Sequence, residues 1–278
     1  MLETLDEIPW KNLTHAKGNA SNLPDLIRAL QTAKCDPKKG NPAIGKLYDT
    51  VCNEGSVYEA ASFVVPFLLE LAADASTPDR IGILNLMADI ANGLSFLEEN
   101  GDFLEEDEMP DNFEEQLARE EEWVDKAHAA VVAGIDVLMA ITKETGIERY
   151  VAAHTMSTLG NQAKVVDKRL VEMIGDEKMS KHRAWLLLLM GKTPETYNIL
   201  VKTLKRSFYE IEKKAAAIAI AWQMPEKLDI GTQIAVREVI LDENIEDDFD
   251  DMPWNIGIVF NFLPQDADSF GDAFDGDE

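Results

Sequence analysis

The chain is 278 residues long and 46% hydrophobic, with 52 acidic residues against 26 basic ones and a formal net charge of −26. That length and apolar share suffice for a buried core, but no apolar stretch approaches the ~20 residues a bilayer span needs. The acidity works against binding a nucleic-acid backbone, which wants a basic surface, and against docking on anionic lipid.

The N-terminus, MLETLDEIPW, is acidic where a signal peptide is basic and then apolar. Two cysteines, Cys35 and Cys52, suit a reducing compartment and read as buried thiols rather than a disulfide. A cytoplasmic protein is the expectation.

Along the chain, apolar residues recur at three and four, and period-two alternation is almost absent before the tail. Leu23, Leu26, Ile27 and Leu30 open the series, and Leu200, Leu204, Phe208 and Ile211 repeat the pattern near its end. Polar-then-proline punctuation at Asn22–Pro24, Asn41–Pro42, Thr77–Pro78 and Thr193–Pro194 marks helix starts. The pattern predicts about eleven helices. Ten of them form pairs: 23–33 with 42–53, 57–73 with 78–93, 123–144 with 147–159, 162–174 with 178–190, and 194–207 with 209–222. A last helix covers 225–241.

Two segments stand apart by charge. Residues 98–122 hold 13 acids and one base, Arg119, and residues 242–278 hold 13 acids and no base, which leaves 26 acids and 25 bases elsewhere. The expected organisation is therefore a helical domain over 1–241, carrying an acidic insert at 98–122. An acidic, aromatic-containing segment over 242–278 follows it, expected to be partly docked and partly disordered.

The helix pairs carry an echo. LPDLIRAL (23–30) and VPFLLELA (65–72) both place proline second and apolar residues first, fourth and fifth, at an offset of 42 residues. Pro24, Pro66 and the Asp79–Arg80 turn together resemble HEAT repeats, whose period is ~40–47 residues. Residues 8–95 are similar to small bacterial HEAT-like proteins. The resemblance implies an all-α, right-handed α-solenoid of the HEAT/armadillo type. A proline in a helix interior removes a hydrogen bond and clashes with the preceding turn, so a kink is expected at Pro66. Residues 66–73 would then continue from a bent half at 57–65.

Catalytic patterns fail on their spacing. Gly191-Lys192-Thr193 lacks the glycine a phosphate loop needs, Leu186 standing in its place. No Gly-x-Ser-x-Gly, His-Glu-x-x-His or Cys-x-x-Cys occurs. Glu121, Asp125 and His128 share a helix face, at best a weak metal site, and DADSFGDAFDGD (266–277) fits a calcium loop poorly, with Phe270 at a ligand position. No catalytic, cofactor or metal residue is expected.

The acidic segments carry aromatics, which purely solvating acidic tails lack. A protein-binding surface is therefore expected to use Phe103, Glu105, Glu106, Asp107, Glu108, Phe113 and Trp123 in the insert, with Phe270 and Phe274 in the tail. The function this supports is a non-enzymatic interaction module for a basic protein, for example an immunity-type inhibitor or a nucleic-acid mimic. The chain itself would be a monomer or weak homo-oligomer. The alternatives are a HEAT-like, glycosylase-type repair enzyme, which needs a basic groove, and an assembly scaffold.

Overall fold

A computed structural model describes residues 2–32, 41–101, 104, 109–110, 112–191, 193–223, 229–240, 245 and 247–255. Among these the chain is mostly helical, with thirteen α-helices and two small hairpins. No helix among them is long and apolar enough to cross a membrane. Internal contacts cluster into two compact units, Met1–Leu159 and Gly160–Glu278.

The first unit begins with two copies of one motif, a tiny antiparallel hairpin followed by a helix. In the first copy β1 (Thr14–His15) pairs with β2 (Gly18–Asn19), and α1 (Leu23–Leu30) follows. After α2 (Pro42–Val51), β3 (Cys52–Asn53) pairs with β4 (Ser56–Val57), and α3 (Ala61–Ala73) follows. Both copies close alike: Ala20 N donates to Leu13 O and Tyr58 N to Val51 O, then Leu23 N donates to Ala20 O and Ala61 N to Tyr58 O. The turn of the second hairpin has Glu54 at φ 54° and Gly55 at φ 94°, the two left-handed residues that a type I′ turn requires.

These equivalences set the structural offset at 38 residues, Leu23 matching Ala61. Buried Leu23, Ile27 and Leu30 then correspond to buried Ala61, Val65 and Leu68. The 42-residue echo is thus one helical turn out of register. Pro24 lies in the first turn of α1, whereas Pro66 lies on the exposed side of α3 in its second turn. The helix is not broken there. The segment before Ala61 is hairpin and turn, not the bent half-helix expected over 57–65.

Next come α4 (Arg80–Asn92), α5 (Phe96–Asn100), α6 (Phe113–Ala133), α7 (Ile135–Ile141) and α8 (Glu148–Ser157). Asp79 caps α4 by accepting from Gly82 N at 3.0 Å. The helix expected over 123–144 starts ten residues earlier, inside the acidic insert, and divides at Gly134. A Cβ at Gly134 would fall 2.3 Å from Leu69 Cδ2, so glycine permits the close approach of α3. The core joins α3 to α4 and α6, and α4 to α8.

In the second unit a 3-10 turn (Gly160–Gln162) leads into α9 (Ala163–Asp176), α10 (Ser180–Leu188), α11 (Pro194–Arg206), α12 (Glu210–Gln223) and α13 (Ile230–Ile240). Helix α12 is central: Ala215 to Ile220 are all buried, and it packs on α10, α11 and α13. Residues 247–255 then lie along α12 and α10. Phe249 is fully buried, Lys214 meets Asp248 at 2.5 Å, Lys181 pairs with Asp251, and the Trp254 ring stands edge-on to Trp185 at 6.1 Å. All five expected helix pairs are in contact.

Candidate interaction surface

The described part of the acidic insert is anchored by its own buried acid. Glu120 on α6 is 5% exposed; its Oε2 accepts from Leu97 N at 3.0 Å and its Oε1 from Gln116 Nε2 at 3.1 Å. Together with Ser95, whose Oγ accepts from Glu98 N at 3.0 Å, it satisfies the first turn of α5. The β3–β4 hairpin grips the same segment. Val57 N donates to Leu94 O, Leu94 N to Gly55 O, and Ser56 Oγ to Glu99 Oε2 at 2.8 Å. His128 Nδ1 lies 2.9 Å from the Ala91 carbonyl, fixing α6 to the end of α4.

Apolar side chains in and beside the same segment are exposed. Leu94 is 44% exposed and Phe96 and Met109 are each 37% exposed. On α5 and α6, Glu98, Glu99, Glu114, Glu115, Glu121 and Glu122 are all exposed. The nearby bases are already engaged, Arg119 with Glu115 at 3.5 Å and Lys126 with Glu122 at 2.7 Å. The Lys126 hydrogen bond, then its charge, holds the Glu122 carboxyl below its usual range.

Burial dominates the titration of neighbouring groups, and for three of them nearby carboxylates add to it. Burial, then Asp89 and Glu99, pushes the Cys52 thiol up to about 12, so it is no reactive thiolate. Burial, then Glu120, Glu54 and Glu99, raises the Tyr58 hydroxyl. Tyr48 donates to Asp89 Oδ2 at 2.6 Å, and its hydroxyl is raised by burial and then by that carboxylate. Burial raises Asp89 despite this hydrogen bond. A surface so charged attracts cations and repels anions. Among the described residues no group of three or more His, Cys, Asp or Glu is arranged to hold a metal ion.

Of the residues singled out in the sequence, Phe113 and Trp123 are half-buried on α6. Phe113 packs so close to Gly101 that a Cβ there would be 3.3 Å from its Cζ. Phe103, Glu105, Glu106, Asp107, Glu108, Phe270, Phe274 and Cys35 lie outside the described residues. The sequence pattern did not single out Leu94, Phe96 and Met109, which flank or interrupt the acids, and Glu120 figured only among the thirteen acids of 98–122. The signal was present in Glu120, which sits four residues after Gln116 and three before Trp123 on one helix face.

Comparison with protein-family models, curated proteins and solved structures finds no match.

Proposed function

We propose that this protein is a non-enzymatic interaction module, built as a right-handed HEAT-like α-solenoid, that binds a basic partner protein through the acid-rimmed apolar patch beside α5 and α6. The observation that carries the reading is the occurrence, in and beside α5 and α6, of exposed Leu94, Phe96 and Met109 with six exposed glutamates, of which only Glu115 and Glu122 meet a base among the described residues. Apolar anchors inside a charged rim suit protein recognition, and the rim accelerates encounter with a partner of opposite charge. The sequential pairing of helices and the repeated hairpin–helix motif support the solenoid. A toxin or nuclease with a cationic cleft is a concrete partner of this kind, placing the chain among immunity-type inhibitors or nucleic-acid mimics.

The test is capture from the native host's lysate with the full chain, against a variant carrying Phe96→Ser, Met109→Ser, Glu114→Gln, Glu115→Gln and Glu121→Gln. A partner with a basic surface should be retained at about 50 mM salt, released by about 500 mM, and absent from the variant. Retention of the same partner by the variant, or indifference to salt, refutes the assignment.

A further inference from the structure

A second surface, in the other unit, has the opposite character. Phe208, in the turn between α11 and α12, is 98% exposed, with Tyr209 at 52% and Met179 at 55%. The turn is held firmly: Ser207 Oγ donates to Glu212 Oε2 at 2.7 Å and accepts from Tyr209 N at 3.1 Å. Arg183 stacks over the Tyr209 ring at 5.3 Å while its Nε donates to Glu212 Oε1 at 2.7 Å and its Nη1 to the Glu177 carbonyl at 2.9 Å. Met179 N in turn donates to Glu177 Oε1 at 2.9 Å. Turns 177–179 and 207–209 therefore stand side by side as one shelf.

The acids of that shelf are occupied inward, and its outward charge is basic. Lys178, Lys202 and Arg206 are exposed and make no ion pair among the described residues, and Lys205 stands 3.8 Å from Asp229. Of the exposed acids beside the shelf, Glu210 is held by Lys213 at 2.6 Å, and Asp176 precedes the 177–179 turn, so four bases face two acids there. In a chain of net charge −26, residues 160–240 carry 14 bases and 10 acids.

The complementary chemistry is in the same chain. Residues 242–278 have 13 acids and no base, and where they are described they already bind by this chemistry, through Lys214–Asp248, Lys181–Asp251 and Trp185–Trp254. The described chain ends at Asn255, beside a tryptophan that packs two residues along α10 from Arg183. The ten residues that follow reach at most about 33 Å, enough to bring DADSFGDAFDGDE (266–278), with six acids and two phenylalanines, to the shelf. We propose that residues 266–278 dock in cis on the shelf formed by Met179, Phe208 and Tyr209 and its surrounding bases. The tail is then an internal counter-charge that shields an exposed aromatic surface, and a basic partner competes for it. This inference is independent of the function proposed for the first unit.

Hydrogen exchange over residues 203–212 tests it, comparing the full chain with a full-length variant carrying Phe270→Ser, Phe274→Ser, Asp266→Asn, Asp268→Asn, Asp272→Asn and Asp275→Asn. Exchange should quicken roughly tenfold in the variant, and wild-type protection should fall in about 0.5 M salt. In a second variant, Lys205→Glu with Arg206→Glu, a protease cutting after phenylalanine should remove the tail faster than in wild type. Equal exchange in wild type and tail variant overturns the proposal. So does protection that grows with protein concentration, which assigns the shelf to a second copy. An oligonucleotide that binds wild type as tightly as the tail variant overturns it as well.

Discussion

Arg80 is buried at the first position of α4, where its Nε donates to the Ala72 carbonyl at 2.9 Å and its two Nη atoms meet Glu144 at 2.8 and 3.0 Å. Arg183, near the start of α10, repeats the device with the Glu177 carbonyl and Glu212. Each arginine ties the end of one helix to the start of the next and reaches a carboxylate farther along the chain. Arg80→Ala should cost about 2–3 kcal/mol, below the full cost of breaking a buried pair because Glu144 is partly hydrated; urea titration measures it. The Arg80 hydrogen bond also depresses the Glu144 carboxyl. That contribution is present above the ordinary glutamate value and is lost as pH falls through the depressed one, so acid should destabilise wild type more than Arg80→Ala. His154 on α8 acts in a higher window. Burial lowers it to about 4, so below its unfolded value near 6.5 the unfolded state takes the proton first. Between pH 6.5 and 4 wild type should lose on the order of 2–3 kcal/mol more than His154→Leu, read from stability measured against pH. The sequence marked Arg80 and Arg183 as landmarks of helix starts. It gave no sign of Glu144 and Glu212, which lie 64 and 29 residues away, because spacing arguments reach only within an element.

At the scale of elements, helix spacing was legible nearly throughout, since each helix buries an apolar stripe. The hairpins were not: two-residue strands are too short to alternate, and only Glu54-Gly55 hints at a turn. Their absence from the reading put Pro66 in a helix that began too early. In the observed α3 the proline is exposed and only the Ser62 carbonyl loses its donor. Pro66→Ala should therefore stabilise the protein by about 1–2 kcal/mol, restoring one hydrogen bond without touching the core; an unchanged or lowered melting temperature contradicts this. Gly93→Ala should act the other way. Its Cβ would lie 2.5 Å from Val57 Cγ2 and 2.6 Å from the Gly55 carbonyl, so the hairpin must part from the α4–α5 connection. A cost of about 2–3 kcal/mol is expected, with faster exchange at the Val57 and Leu94 amides. The candidate surface was half legible for a related reason. A run of glutamates looks like a solvated loop, yet 113–122 is helix, because Glu120 turns inward to hydrogen-bond α5 while its neighbours face water.

Across the whole molecule, two acidic segments on a near-neutral remainder oppose two electrostatic effects. Most ion pairs between described residues are exposed, as in Lys17–Asp49 and Lys126–Glu122, and each contributes ~0–1 kcal/mol, which salt weakens. Against them stands repulsion among the 13 acids of 98–122, where like charges crowd one helix and its approach; salt relieves that as well. Like charges three or four residues apart on a helix destabilise it by a few tenths of a kcal/mol per pair, and on α6 Asp125 stands four residues from Glu121 and three from Glu122. At a net charge of −26 self-repulsion outweighs exposed pairs, so the melting temperature should rise between about 20 mM and about 200 mM salt instead of falling. The response should shrink in a Glu114→Gln, Glu115→Gln, Glu121→Gln variant. Those three exposed side chains accept no backbone N–H among the described residues, Glu115 meeting only the Asn112 and Arg119 side chains, whereas Glu120→Gln would lower stability at every salt concentration because its carboxylate holds Leu97 N. The two variants separate charge that repels from charge that anchors, and a melting temperature falling with salt in wild type would show that the ion pairs dominate.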